Sequence, residues 1–408
     1  MNRNTVILLV LCVVLVLGGL TYFFFFAPKG AGISLQEGGI SIGTSATSAT
    51  QSGDGSPLGV DEQRVAVEEA PRLIKISADA VSYGVNVRST KLTSSANIGG
   101  ATTTLDVTNT YVDYVERETG NMYTFNDTER AITRMTNQTL PGVVDAVWSK
   151  DGSRAFVRYL SRDTGDTIQS YALGREEGTS YVLEEGLDGI AVTPKGLVFT
   201  LLSNSNGSIG TLVSPDGTGA KTLFSSPLSA LKVKPAGDSF VAYTKASLGS
   251  NGYAFLVDGK TGSFERLVGP LAGLTALPSP SGKKVLLGYR SGSTLRLEIL
   301  DVATRTSTVL PIATLTEKCV WSADETDIFC AVPRALSGAL PDDWYQGAVV
   351  FSDRFWKVDV VNRLATLLID TRELAQIEVD AVSLAIDDTS RVLVFTNKSD
   401  GSLFAYEL

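Results

Sequence analysis

A short phrase returns about every 43 residues and sets the fold of this chain: an apolar strand, a tight polar turn, then a second apolar strand. Copies begin at Ala146, Ala191, Leu231, Ala276, Cys319 and Ser383. Their turns centre on Gly152, Gly196, Gly237, Gly282, Glu325 and Thr389, in steps of 44, 41, 45, 43 and 64 residues. A non-repeat stretch, Pro333 to Asp353, accounts for the long last step. An earlier unit shows through a second turn, where Arg117-Glu118-Thr119-Gly120 matches Arg162-Asp163-Thr164-Gly165. Glycine supplies a positive φ in tight turns, and Asp, Ser and Pro favour them. Strand-type units at this period mark an all-β, seven-bladed β-propeller.

Such a ring must join its first and last blades or leave open sheet edges. The last unit has only three strand-like runs, 383–386, 391–396 and 403–408. The orphan run Arg72-Leu73-Ile74-Lys75-Ile76-Ser77 is therefore expected to pair with the C-terminal blade.

Trp148-Ser149-Lys150-Asp151-Gly152 resembles the repeat turn of the TolB-like propellers, within the wider WD-repeat type. Trp321-Ser322-Ala323-Asp324-Glu325 departs from it by losing the glycine. The resemblance spans roughly 105–408. It implies an exported binding domain more often than an enzyme, and it carries little about function because propellers host many unrelated activities.

Residues 5–26 are free of charge. At 1.5 Å per residue they span about 33 Å, enough for a hydrocarbon core of about 30 Å. A signal peptide has a shorter apolar core, about 7–15 residues. The reading is a transmembrane signal anchor over 5–26 after a 1–4 tail. Gly30-Ala31-Gly32 leaves cleavage open as the alternative. Residues 27–68, rich in Gly, Ser and Thr, read as a flexible linker. Residues 69–408, with an insertion at 333–353, read as the propeller domain. The expected location is the cytoplasmic membrane, single-pass, with the N-terminus inside and the propeller outside.

Cys319 and Cys330 flank the turn 322–327 symmetrically, so a hairpin there sets them opposite each other. The close cross-strand pairing allows a disulfide, and an oxidising compartment favours it. Two small buried strand residues are the alternative.

The chain carries 35 basic and 44 acidic residues, a net charge of −9. That argues against nucleic acid and against adhesion to anionic lipid. It contains no histidine, which removes Ser-His-Asp catalysis and histidine metal sites. Gly39-Ile40-Ser41-Ile42-Gly43 sits in the linker without strand–turn–helix context. Phosphate and calcium loop motifs are missing from the sequence. No catalytic, cofactor or metal residue is therefore expected, and the chain reads as not an enzyme. Four Asn-x-Ser/Thr sequons, at Asn126, Asn137, Asn206 and Asn397, are uninformative in so Ser/Thr-rich a sequence.

The insertion offers a candidate partner contact: Asp342, Asp343, Trp344, Tyr345 and Gln346. Trp and Tyr are enriched at binding hot spots, and long loops carry function. The competing reading is a loop that plugs the channel or packs on a neighbouring blade. Trp148, Trp321 and Trp356 are expected to pack in the blades. The function expected is a non-catalytic binding or scaffold module of the cell envelope, with a protein or glycan partner. A structural part of a surface or secretion assembly is the alternative, and a histidine-free, carboxylate-dependent glycan-active enzyme is a further one.

Overall fold

Each repeat turn folds into the same short loop because one residue takes a left-handed backbone. Gly152, Gly196, Gly237 and Gly282 do so, with φ between 60° and 83°; Glu325 follows at φ 60° and Ser390 at 56°. The last left-handed residue is thus Ser390, one position after Thr389. At Gly152, Gly196, Gly282, Glu325 and Ser390 the left-handed residue donates its N–H to the carbonyl three residues earlier, at 2.8–3.0 Å. Glu325 and Ser390 fill a place that favours glycine.

The computed structural model describes residues 72–98, 101–161 and 167–408. They form β-sheets of antiparallel strands that follow one another in sequence. The first is Asn86–Ile98, Ala101–Val115, Met122–Asn126 and Ala131–Arg134. The second is Val143–Trp148, Arg154–Leu160, Ile168–Gly174 and Tyr181–Val182. The third runs from Leu187–Val192 to Lys221–Ser226. A seven-stranded sheet follows, from Leu231–Ala236 to Ser307–Val309, in which the long strand Phe264–Pro278 pairs on both sides. The next sheet is Cys319–Trp321, Asp327–Pro333, Asp353–Asp359 and Ala365–Asp370. The last is Ala381–Ile386, Val392–Asn397, Leu403–Glu407 and, as its fourth strand, Leu73–Lys75.

The orphan run near the N-terminus thus joins the C-terminal sheet, with Leu73 opposite Tyr406, Ile74 opposite Ala405 and Lys75 opposite Phe404. Ile76 extends the ladder by donating to the Leu403 carbonyl at 2.8 Å, and it packs in a core with Val81, Val112, Val394 and Ala405. The contact links segments more than 300 residues apart in the chain. Deleting residues through Ser77 should expose the edge of Leu403–Glu407 and cause aggregation. A truncated chain that elutes as a folded monomer in size-exclusion chromatography would contradict this.

The first strand of each unit lies innermost. Val143–Trp148 touches Leu187–Val192, which touches Leu231–Ala236; Cys319–Trp321 touches Ala381–Ile386, which touches Asn86–Ile98. Apolar clusters fill the space between successive sheets, such as Ala191, Phe199, Leu231 and Phe240 in one and Leu286, Ile299, Trp321 and Ile328 in another. Trp148 and Trp321 are buried at equivalent places. Each donates its indole N–H to a carbonyl of the preceding unit, Gly84 at 3.3 Å and Leu277 at 3.2 Å. In Asp353–Asp359 it is Phe355 that enters the core, whereas Trp356, expected there, is half-buried with its indole N–H unpaired. Neighbouring residues on a strand point to opposite faces, so only one of the pair can face inward.

Residues 5–26 and the linker lie outside the described residues. Among the described residues no helix is long and apolar enough to cross a membrane.

Candidate functional site

The insertion connects Asp327–Pro333 to Asp353–Asp359, and Arg334 prolongs their pairing by donating to the Ser352 carbonyl at 2.9 Å. At its centre Asp342–Tyr345 forms one helical turn. Trp344 is 2% exposed and packs with Leu295, Leu315, Leu340 and Phe351. Its indole N–H donates to both carboxylate oxygens of Asp380 at 3.0 Å. The ammonium groups of Lys318 and Lys398 stand 5.1 and 4.8 Å from its ring. Trp344 is thus buried in the core and not presented to solvent: a large indole gains more by burial over this cluster than it would in solvent. Asp342 accepts the Leu248 N–H at 2.6 Å and Asp343 the Ala339 N–H at 2.7 Å, so these acids hold loops in place. Tyr345 and Gln346 stay exposed, and the Tyr345 hydroxyl donates to Glu317.

Beneath the insertion lies a fully buried ion cluster. Lys318 reaches Asp353 and Asp380, each at 2.6 Å, and donates to the Ala381 carbonyl at 2.9 Å. Asp380 also accepts the Phe351 N–H, and Asp353 that of Ala381 at 2.7 Å. Burial pushes the Asp353 carboxyl up to about 6 against the pull of Lys318, and the neighbouring Asp380 charge adds to the rise. One ammonium thus serves two carboxylates and fastens the insertion to two strands.

Cys319, next in sequence, faces Cys330 across the hairpin, and a disulfide joins them with Cα atoms 4.1 Å apart.

Two adjoining cavities open beside this assembly. One, of about 360 Å³, lies among inner strands and is walled in part by Asp145, Arg158, Asp188, Lys232 and Lys234. The other, of about 380 Å³, is lined by Lys232, Lys234, Tyr243, Lys245, Ala246, Glu317 and Tyr345. Lys232, Lys234 and Tyr243 border both. Lys232 and Lys234 alternate with Val233 along Leu231–Ala236 and so share a face. Tyr243 sits opposite Lys232 in register. Burial lowers the Lys234 ammonium from its ordinary value, Glu317 opposes the fall and Lys232 deepens it. Burial likewise lowers Lys232, with Arg158 contributing. Arg158 is engaged, donating to Asp145 at 3.0 Å and to the Asp188 carbonyl at 2.8 Å. Burial raises the Tyr243 and Tyr345 hydroxyls, so both stay protonated hydrogen-bond donors. Sequence reading passed over these lysines as one copy of the repeat. The available signal was Leu-Lys-Val-Lys-Pro, charged at alternate places along a strand of the repeat.

No protein-family model matches the chain, and no curated protein sequence does. Solved structures do. The oligogalacturonate lyase of Vibrio parahaemolyticus is similar over 80% of this chain and 98% of its own, at 9% identity and TM-score 0.51. The β-propeller domain of the Trilobed protease from Pyrococcus furiosus is similar over 80% and 94%, at 8% identity and TM-score 0.50. That domain is described as having an open velcro topology; here the N-terminal strand pairs with the C-terminal sheet. TolB from Acinetobacter baumannii matches at 16% identity and TM-score 0.44, and the chain spans 62% of its length. Likeness at these identities shows the fold. It also overturns the expectation that this chain is not an enzyme: the shared fold includes a lyase, so the fold itself leaves catalysis open. In fold, the chain is a β-propeller.

Proposed function

We propose that this protein is a binding module whose ligand enters the cavity between the inner strands, held at the cytoplasmic membrane by residues 5–26 with the propeller outside. The observation that carries the reading is the solvent-reached cavity bordered by Lys232, Lys234 and Tyr243. Ligand pockets of a few hundred Å³ with a few convergent polar groups have this form. Taking the seven-stranded sheet as two blades that share Phe264–Pro278 gives seven blades, in line with the repeat. The Cys319–Cys330 pair supports an oxidising compartment. An envelope protein or a glycan is the expected partner class.

A second reading, a structural part of a surface assembly, is favoured by the outer edge of the Cys319–Asp370 sheet and the turn after it. Val361, Leu364, Leu367 and Leu374 stand 43–75% exposed there.

The full chain should remain in the membrane pellet after alkaline carbonate extraction, and protease added outside spheroplasts should digest the propeller. Release into the soluble fraction, or protection from external protease, would overturn the membrane-held reading.

A further inference from the structure

Lys232, Lys234 and Lys245 bring three ammonium groups to one cavity of about 380 Å³. Among the described residues none of the three side chains has a hydrogen-bond or ion-pair partner. Two nearby cations are paired, Arg158 with Asp145 and Lys318 with Asp353 and Asp380, whereas these three, Lys232 and Lys245 exposed and Lys234 half-buried, are not. The one acid lining this cavity, Glu317, accepts the Tyr345 hydroxyl. Lys234 is half-buried and borders the cavity. An ammonium in such a place lacks the partner that offsets its desolvation. An oxyanion would supply it, because charge-assisted hydrogen bonds are the strong ones. Tyr243, with its hydroxyl protonated, and Ala246 complete an apolar wall that suits an organic body between the charged groups.

We infer that this cavity binds a small multivalent oxyanion, an organic polycarboxylate or a polyphosphate, through Lys232, Lys234 and Lys245. The inference rests on the binding-module reading and names its ligand class. Lysine is a point charge and serves both sources; the cavity volume limits the ligand to a small molecule or the end of a longer chain.

The test is isothermal titration calorimetry of the full chain in detergent with citrate and, separately, with pyrophosphate. Saturable one-to-one binding is expected. It should weaken roughly tenfold or more in Lys234→Met and Lys232→Met and survive in Lys234→Arg. The melting temperature of Lys234→Met should not fall, since methionine fits the apolar wall without a charge to desolvate. Preference for citrate assigns a carboxylate source, preference for pyrophosphate a phosphate source. Absence of saturable binding by both anions, or binding indifferent to the lysine variants, overturns the inference. In that event a chain still retained in the membrane and exposed outside leaves the module reading standing without this ligand.

Discussion

Lys318→Met is expected to destabilise the propeller by about 3–5 kcal/mol, the range for breaking a buried ion pair by removing one partner. The variant leaves Asp353 and Asp380 facing each other, both fully buried, with no cation between them. Asp380 keeps the Trp344 and Phe351 donors and Asp353 keeps the Ala381 N–H, yet neither carboxylate regains a positive partner. The sign of the pH dependence follows from Asp353. Its folded pKa, about 6, lies above the ordinary carboxylate value. The proton it holds favours the folded state at acid pH, and that stability is lost as pH rises through about 6. Without Lys318 the rise is larger, so the defect should be small near pH 4 and largest near pH 7. Urea unfolding at both pH values measures it. A loss under about 1 kcal/mol at pH 7 would show that the cluster does not fasten the insertion.

Trp344→Ala should cost about 3–5 kcal/mol, as large-to-small changes of buried aromatic side chains do. The indole fills the centre of the cluster of Leu295, Leu315, Leu340 and Phe351, and its N–H is one of the donors on Asp380. Trp344→Phe keeps most of the packing and removes only the donor, so about 1–3 kcal/mol is expected. Tyr345→Ala, at an exposed position, should cost much less. Thermal unfolding of the three variants ranks them. If Trp344→Ala unfolds as the parent does, the insertion is not part of the core.

The fold was legible because the constraint is local and repeated. A left-handed residue must recur at each turn, and a missing fourth strand in the last unit leaves Arg72–Ser77 as the segment to supply it. Hairpin symmetry alone placed Cys319 against Cys330, since antiparallel register follows from the turn. The site was less legible for a physical reason. Lys318, Trp344, Asp353 and Asp380 meet only through packing between non-adjacent segments, and no periodicity relates them. Trp344 read either as a partner contact or as part of a packed loop, because the repeat says nothing about a loop that interrupts it. Lys232 and Lys234 were visible as an alternating charged pair, but their lack of partners becomes apparent only when the neighbouring strands are in place.

Hydrogen–deuterium exchange of the full chain, with and without citrate, tests whether the insertion is a fastened wall beside a lysine-lined binding cavity. Amides 339–351 should be protected like the neighbouring strands, and citrate should slow exchange chiefly in 231–246 and around Tyr345. Exchange of 339–351 at the rate of an open loop, or a citrate effect absent from the lysine-bearing strand, would contradict it.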